Sequence, residues 1–374
     1  MIDLQVSRKQ IDEIDSQIVK LFEERMKVAN EVAKYKMETG KAVFDKEREE
    51  QKLDSLSKIC HGKFNERAVR ELFSQIMSIS RKYQYGVLPH TDDITDFEKT
   101  EKAFDKEQAK VYYFGVPGTH TQQAMEDVFG EAVQGISCQS FQGVMEAVEN
   151  GQADYGVLPI ENSSTGGIST NYDLLLNYKN AIVGEYVMKI DQCLLALPGT
   201  KLEDIQTVFS HPQALMQSSD FLNQHDWQQL SMENNAVAAQ KVRDEKDPSQ
   251  AAVAGEVAGE IYGLKKLAGP INNCPDNTTR FLILAKDRVY QAGAEKISLC
   301  FELPHRSGTL YSMLGNFIFN DVNMRMIESR PIPEESWQYR FFVDIEGNLE
   351  DAGVQNALYG IMREAKNVKI LGNY

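Results

Sequence analysis

Two cations, Arg25 and Lys36, occur on the otherwise apolar side of a predicted helix near the start of the chain. Ser80 and Gln84, one helical turn apart, occupy the same kind of position on a later helix. Polar groups buried without partners cost about 1 to 3 kcal/mol each, and charged groups cost more. Their convergence therefore predicts a bound anion. At about 100° per residue, the apolar stripe that surrounds the two cations consists of Ile14, Ile18, Leu21, Val28, Ala29 and Val32.

An alternative exists for either cation alone. A long side chain can cover apolar neighbours with its stem while its charge reaches water. That interpretation does not account for Ser80 and Gln84, or for a further cation, Arg8, beside the first helix. The group as a whole therefore favours anion binding.

Polar side chains between residues 1 and 85 resemble, in type and spacing, the active-site set of the all-helical chorismate mutases. They lie in the stretches SRKQIDEID, EERMKVANEVAKYK, DKERE and ISRKYQ. The resemblance implies an intertwined dimer with long shared helices. The substrate of these mutases, chorismate, is a dicarboxylate that rearranges to prephenate without a nucleophile or cofactor. It also implies roles for eight residues: carboxylate binding by Arg8 (from the partner chain), Arg25 and Arg48, donation to the ether oxygen by Lys36 and Gln84, and contacts around the ring hydroxyl by Asp45, Glu49 and Ser80.

Four polar loops follow predicted strands in the middle of the chain: GVPGTHTQQA, PIENSSTGG, SHPQAL and PDNTTRF. Each alone is compatible with an ordinary turn. Together they predict a crevice at one sheet edge, where helix N-termini and hydroxyl groups hold a carboxylate. The hydroxyl groups are those of Thr119, Thr121, Ser163 and Ser164.

The Ser210-His211 pair has the residue types of a nucleophile and its base. Neighbours in sequence on one loop rarely meet in the required geometry, and no G-x-S-x-G motif accompanies them. We therefore predict a structural role for His211.

The blocks GVPGTHT, PIENSSTGGI, SHPQAL and NTTRFLIL resemble those of prephenate dehydratases, over about residues 110 to 288. The resemblance implies a two-lobed α/β domain similar to periplasmic binding proteins. It also implies that Thr279 is the essential threonine of the triplet Thr279-Arg280-Phe281, with Asn162 and Gln213 as further site residues. The Thr279 hydroxyl would then act as the acid on the departing ring hydroxyl of prephenate, without a metal. Arg280 would either bind a carboxylate or hold the strand edge.

The last segment has the predicted order strand, helix, strand, strand, helix, strand, which is the ferredoxin-like order. Its stretches GTLYSML and ESRP resemble the effector motifs of ACT domains attached to prephenate dehydratases, although the family usually has Ala where this chain has Thr309. The alternative is a module for dimerisation only. The resemblance implies phenylalanine binding at a dimer interface, near Gly308, Thr309, Leu310, Glu328, Ser329 and Arg330.

The elements that must position these residues differ along the chain. A helix is predicted from a cap at Ser7 to about Thr39, a shorter one from Asp45 to Ile59, and a third capped by Asn65. The first would be about 50 Å long, too long for one small domain to cover, so we expect it to pair with another chain. From Lys110, strands alternate with helices, which predicts a mostly parallel α/β sheet.

Composition limits the possible partners and compartments. The 374 residues carry a net charge of -15, which disfavours nucleic acid and acidic membranes as partners. No apolar run approaches the ~18 residues of a membrane helix, and the charged N-terminus is unlike a signal peptide. Five scattered cysteines without a C-x-x-C pair predict a cytoplasmic protein, and histidines without ligand spacing predict no metal site. The two family resemblances imply that no cofactor is needed.

These observations predict a multidomain enzyme with an all-α mutase domain (1–85), a linker (86–109), an α/β dehydratase domain (110–288) and an ACT domain (296–374). It would convert chorismate through prephenate to phenylpyruvate, as a homodimer or higher oligomer inhibited by phenylalanine. One alternative is dehydration of arogenate. Another is a non-catalytic solute sensor, which the presence of Thr279 with Arg280 and Asn162 disfavours.

Overall fold

The computed structural model describes residues 3–87, 94–102, 109–333, 335 and 337–374. The chain forms two compact units, which are Met1–Asp96 with Cys300–Val368, and Phe97–Leu299 with Lys369–Tyr374. Parts of the predicted linker, residues 88–93 and 103–108, lie outside the described residues.

Three helices begin the first unit: α1 (Leu4–Thr39), α2 (Lys46–Ser57) and α3 (Lys63–Val87). The predicted cap at Ser7 is wrong, because the Asp3 side chain caps α1 by accepting the Gln5 N–H at 2.9 Å. The predicted cap at Asn65 is also wrong, since Asn65 lies inside α3 and its Nδ2 donates to the His61 carbonyl at 3.0 Å.

The apolar face of α1 is largely exposed within one chain. At 1.5 Å per residue the helix is about 54 Å long, and its only buried residues are Ala29 and Ala33. The side chains of Ile14, Ile18 and Leu21 are 56%, 53% and 65% exposed. Exposed apolar surfaces of this extent are typical of interaction sites.

The second unit contains two large sheets, and a two-stranded sheet formed by Glu98–Thr100 and Val289–Gln291. Its elements are β1 (Glu98–Thr100), β2 (Lys110–Phe114), α4 (His120–Phe129), β3 (Gln134–Cys138), α5 (Phe141–Glu149), β4 (Tyr155–Asn162), β5 (Gly166–Gly167), α6 (Ser169–Asn177), β6 (Ala181–Lys189), β7 (Cys193–Ala196), β8 (Thr207–Ser210), α7 (Pro212–Gln217), α8 (Ser219–Leu222), β9 (Gln228–Ser231), α9 (Asn235–Glu245), β10 (Gln250–Ala254), α10 (Glu256–Tyr262), β11 (Lys265–Ala268), β12 (Thr278–Ala285) and β13 (Val289–Gln291).

The first of the two large sheets has the order β6-β12-β4-β2-β3 and the second has the order β11-β7-β10-β8-β9. Strand β2 is parallel to β3 and β4, whereas β12 is antiparallel to both β4 and β6. Four of the five strands of this sheet therefore run in one direction, as predicted, and β12 is the antiparallel exception that makes the sheet mixed. The chain leaves the first sheet after β6, forms the second, and returns through β12 in the opposite direction.

The central strands of the second sheet are buried on both faces. Along β7, Cys193 and Leu195 pack in one apolar cluster, while Leu194 and Ala196 pack in another. A strand that is covered on both sides has no need of polar alternation, which explains the continuous apolar runs in this part of the sequence.

The last elements of the chain are β14 (Lys296–Leu303), α11 (Thr309–Phe319), β15 (Met324–Pro331), β16 (Tyr339–Glu346), α12 (Ala352–Glu364) and β17 (Lys366–Asn373). Their sheet order is β15-β16-β14-β17. Phe301, Phe317 and Phe342 are at most 1% exposed and form part of the core.

Helix α3 packs against α11 and α12 within the first unit. Its C-terminal half is buried, and the Tyr85 ring meets the Tyr359 ring edge-on with centroids 5.5 Å apart. The N-terminal helices and the last segment therefore share one compact unit. Among the helices that the structure describes, none is both long and apolar enough to span a membrane.

Candidate active sites

Arg25 of α1 and Ser80 of α3 meet in the helical part of the first unit. The Arg25 guanidinium donates to the Ser80 hydroxyl, which in turn donates to the Ile76 carbonyl at 2.8 Å. Lys36, three turns further along α1, donates through Nζ to the Val43 carbonyl at 2.6 Å. Two cations are thus held along one side of α1 by groups from other parts of the fold.

Burial lowers the pKa values of both cations. For Arg25 the Glu49 carboxylate opposes this shift, and for Lys36 the Asp45 and Glu49 carboxylates do so. A cation that has lost part of its hydration interacts more strongly with an anion than a fully solvated one. Glu49 is the carboxylate that acts on both cations.

Gln84 lies one turn after Ser80 and is 6% exposed. Its Oε1 atom is buried without a hydrogen-bond partner among the described residues. An unsatisfied amide oxygen is unfavourable for folding, and it leaves an acceptor available to a ligand.

Three further predicted mutase residues are Asp45, Arg48 and Arg8. Asp45 caps α2, because its Oδ1 accepts the Arg48 N–H at 3.0 Å, and the side chains of both residues are exposed. Arg8 precedes Arg25 by 17 positions on one helix, a separation of about 26 Å along the axis. Arg8 therefore cannot join Arg25 in the same site of a single chain.

A second polar group lies at one edge of the first sheet of the second unit. Asn162 ends β4 and pairs with Thr279, which is near the start of β12. Asn162 Nδ2 donates to Thr279 Oγ1 and to Asn277 Oδ1, each at 2.9 Å. Because β12 is antiparallel to β4, its first residues lie at the edge where β4 ends.

The Thr279 hydroxyl accepts from Asn162 and donates to no group among the described residues. Thr279 and Asn162 are each 9% exposed. Because the Thr279 oxygen accepts from the Asn162 amide, the hydrogen of the Thr279 hydroxyl is directed away from that amide and remains available to an acceptor on a ligand.

Polar side chains from α7 surround this pair. Gln213 Nε2 donates to Thr165 Oγ1 at 2.7 Å, and Gln217 Nε2 donates to Ser164 Oγ. Ser164 Oγ donates to Asn162 Oδ1 at 2.6 Å. Sequence reasoning did not single out Gln217, Thr165 or Asn277, although the spacing of Gln213 and Gln217 places both on one helix face.

Ser163 and the threonines of the first loop have structural partners. Ser163 Oγ accepts the Thr278 N–H at 2.9 Å, so it ties the two strands together. Thr119 caps α4, and Thr121 is 6% exposed in its first turn. Neither threonine has a hydrogen bond to Asn162 or Thr279 among the described residues.

The side chains of Arg280 and Phe281 do not lie beside that of Thr279. Arg280 Nε donates to Glu185 Oε2 at 2.6 Å and its Nη2 donates to the Tyr374 hydroxyl at 2.8 Å. Successive side chains of a strand alternate between faces, so Arg280 points away from the Thr279 side. Phe281 is 1% exposed in the apolar core. Of the two predicted roles of Arg280, its partners Glu185 and Tyr374 favour holding the strand edge.

Ser210 and His211 do not form a nucleophile and base. Ser210 Oγ donates to the Val253 carbonyl at 2.5 Å, and His211 Nδ1 accepts the Gln213 N–H at 3.2 Å as the cap of α7. Burial also lowers the pKa of His211. The predicted structural role of His211 is confirmed. Where residues are described, no group of three or more His, Cys, Asp or Glu residues is arranged to hold a metal ion.

A cavity of about 160 Å³ lies at the start of α11. Gly308 precedes the helix in the left-handed conformation, with φ 78°. Ser329 pairs across the strands with Phe341 and shares its face, whereas Glu328 and Arg330 pair with residues of the opposite face. Within one chain, the predicted effector residues are thus divided between two faces. The cavity is lined by Leu303, Pro304, His305, Arg306, Thr309, Leu310, Tyr339 and Phe341.

Comparison with known proteins identifies both parts of the chain. A family model described as chorismate mutase type II matches residues 7–85, and one described as prephenate dehydratase matches residues 111–289. A bifunctional chorismate mutase/prephenate dehydratase from Neisseria gonorrhoeae is 35% identical, over 98% of this chain and 95% of the relative.

Two solved structures resemble this chain with a TM-score of 0.65. One is a prephenate dehydratase from Arthrobacter aurescens in complex with L-Phe, which is 30% identical and covers 71% of this chain and 89% of its own. The other is GqqA, described as a novel type of quorum quenching acylase, which is 28% identical and covers 70% of this chain and 96% of its own. With the near full-length match to the Neisseria relative, these findings show that the chain belongs to the family of bifunctional chorismate mutase/prephenate dehydratases.

Proposed function

We propose that the chain rearranges chorismate to prephenate at the helical site, and converts prephenate to phenylpyruvate at the Asn162–Thr279 site. The observation that carries the proposal is the presence of two different polar groups in one chain. One consists of cations around an apolar helix face, and the other consists of neutral amides and hydroxyls.

At the helical site, Arg25, Arg48 and an Arg8 from a second copy bind the carboxylates of chorismate. Lys36 and Gln84 donate to the ether oxygen as its bond breaks and negative charge develops there. Ser80, Asp45 and Glu49 hold the ring hydroxyl and its surroundings. No covalent step involves the protein, so catalysis comes from holding a compact conformer and from the preorganised donors.

At the second site, the Thr279 hydroxyl donates to the ring hydroxyl of prephenate as the carbon–oxygen bond breaks. The bond between the ring and its carboxylate breaks at the same stage, carbon dioxide leaves, and its electron pair completes the aromatic ring. Water is the other leaving group, and solvent returns the proton to Thr279. Asn162 orients the hydroxyl through its hydrogen bond of 2.9 Å.

The direct test measures phenylpyruvate formation by the intact chain from chorismate and, separately, from prephenate. We expect both to be substrates. Product from prephenate alone would remove the mutase assignment, and no product from either would leave the sensor alternative. Steady-state rates with arogenate in place of prephenate test the remaining alternative.

We propose the domain bounds 1–85 for the mutase, 110–288 for the dehydratase and 296–374 for a ferredoxin-like ACT domain. The order of β14, α11, β15, β16, α12 and β17 supports the last assignment. The five cysteines form no disulfide, which supports the cytoplasm as the compartment.

We propose a homodimer in which Arg8 completes the mutase site of the partner chain, and a mixing experiment tests it. Arg8→Ala and Lys36→Ala chains should each be nearly inactive as mutases. After unfolding and refolding together, mixed dimers contain one intact site, so about a quarter of the parent activity should return.

The matched control for this experiment mixes Arg25→Ala with Lys36→Ala. Both of these residues belong to the same chain in each site, so no intact site forms and no activity should return. No recovery with Arg8→Ala would remove Arg8 from the shared site, and recovery in the control would show that Arg25 and Lys36 do not act from the same chain.

We propose that phenylalanine binds at the cavity of α11 and inhibits the dehydratase. Calorimetry should detect binding to the parent, and Gly308→Val should abolish it because a β-branched residue is strained at φ 78° and shifts the start of α11, which lines the cavity. By linkage, prephenate should weaken phenylalanine binding by the same factor that phenylalanine weakens prephenate binding.

Gly199→Val is the matched control for Gly308→Val, since Gly199 also has a positive φ, of 93°, with open space around it. That variant should bind phenylalanine as the parent does. Normal binding and inhibition in Gly308→Val would place the effector elsewhere.

A further inference from the structure

Arg81 lies on α3 between two carboxylates from different parts of the chain. Its Nη1 donates to both oxygens of Glu49, at 2.7 and 2.6 Å, and its Nε donates to Glu364 Oε1 at 3.0 Å. The guanidinium also stacks on the Phe44 ring, 4.7 Å from its centroid. Arg81 is 6% exposed, so this arrangement is buried and fixed on every side.

The charges of this group are balanced by one another. Burial by itself lowers the pKa of Arg81, but Glu364 and Glu49 more than offset it, so the pKa is raised. The planar guanidinium can serve two carboxylates at once, which an ammonium cannot do in the same geometry. Removing one carboxylate therefore changes how the other is held.

Glu49 connects this group to the mutase site. It is the carboxylate that acts electrostatically on both Arg25 and Lys36. In the other direction, Glu364 is the last residue of α12, in the C-terminal segment. Hydrogen bonds of Arg81 thus link Glu364 at the end of α12 to Glu49, and the Glu49 carboxylate acts through its charge on the two mutase cations.

Stability alone does not explain a charged group at this position. The desolvation of buried ions offsets most of their mutual attraction, and apolar residues of similar volume often stabilise a fold equally well. A planar cation that fixes the direction of a carboxylate beside a substrate site has a clear use in preorganisation.

We propose that Arg81 and Glu364 are positioning residues for the mutase reaction, with Glu364 orienting Arg81 and Arg81 orienting Glu49 beside Lys36. The inference rests on the proposed mutase function of the helical site. It makes α12 part of the support of that site. A displacement of α12 is then transmitted to Glu49 through a single guanidinium.

The test is Glu364→Gln in the full chain, with mutase kcat and KM measured separately. Glu49 contacts the substrate before and during the reaction, so its misplacement should raise KM about fivefold while kcat stays within about twofold. A variant that only folds less well would instead show a lower kcat at an unchanged KM. Dehydratase activity of the same sample, which comes from the second unit, is the control for the amount of intact enzyme.

Two further variants sharpen the test. Glu346→Gln removes the ion pair with Arg325 at 2.7 Å, which lies in the same segment but does not involve Arg81, and should leave mutase KM unchanged. In a Glu49→Gln background, Glu364→Gln should add no further increase in KM, because the carboxylate that it positions is already gone.

An unchanged mutase KM in Glu364→Gln would overturn the proposal, as would additive effects in the double variant or a parallel loss of both activities. A raised KM with normal dehydratase activity, absent from Glu346→Gln, is the supporting result. A parent chain without any mutase activity would overturn the proposed function itself, and the inference with it.

Discussion

The variant Lys36→Ala should lose at least about a hundredfold in mutase kcat, with dehydratase activity nearly intact. Lys36 is half-buried and its Nζ is held 2.6 Å from the Val43 carbonyl, so the ammonium is preorganised before the substrate binds. A charge-assisted donor that acts mainly on the breaking ether bond contributes about 3 kcal/mol or more to the transition state. Ultraviolet assays of chorismate loss and phenylpyruvate formation measure the two activities separately.

Lys34→Ala is the matched control, since Lys34 is an exposed lysine on the same helix. It should keep full mutase activity. Because burial lowers the pKa of Lys36, the mutase rate of the parent should also decline with rising pH below the ordinary lysine value of about 10.4. Normal mutase turnover in Lys36→Ala would remove this residue from the site.

Helical period was sufficient to predict α1, α2 and α3, but it did not locate their ends. Ser7 and Asn65 are both good capping residues, yet each lies inside a helix. Helix α1 already begins at Leu4, after its cap Asp3, and α3 already begins at Lys63. Capping preference is a local effect of about 1 kcal/mol, and such effects are readily overcome by packing elsewhere in the helix.

The direction of β12 could not be predicted from local sequence. The run RFLILA shows a buried strand, but its orientation depends on where the chain re-enters the sheet after forming a second one. That direction brings Thr279 beside Asn162 and turns Arg280 toward Glu185. The resemblance to dehydratases named Thr279 and Asn162, whereas Gln217 and Asn277 required the three-dimensional arrangement.

The packing of α3 on α11 and α12 depends on contacts between residues nearly three hundred positions apart. From sequence alone, Arg81 is one more cation in a charged helix, and Glu364 ends another helix in a different segment. Their hydrogen bond of 3.0 Å is visible only in the folded unit. Non-local pairs of this kind leave no period and no motif in the sequence.

Thr279→Val should lower dehydratase kcat by about a hundredfold or more and leave mutase activity unchanged, because it deletes the hydroxyl and keeps the volume. Only the donor to the leaving oxygen is lost, since Asn162 Nδ2 keeps two other acceptors, Asn277 Oδ1 at 2.9 Å and the Thr278 carbonyl at 3.0 Å. Little stability should therefore be lost, and a lower kcat reports on proton donation. Thr279→Ser should retain part of the rate, and Thr278→Val, on the neighbouring position of the same strand, should retain all of it. Full activity in Thr279→Val would assign the acid to another donor at the sheet edge, and Gln217 and Gln213 on α7 would be the next side chains to replace.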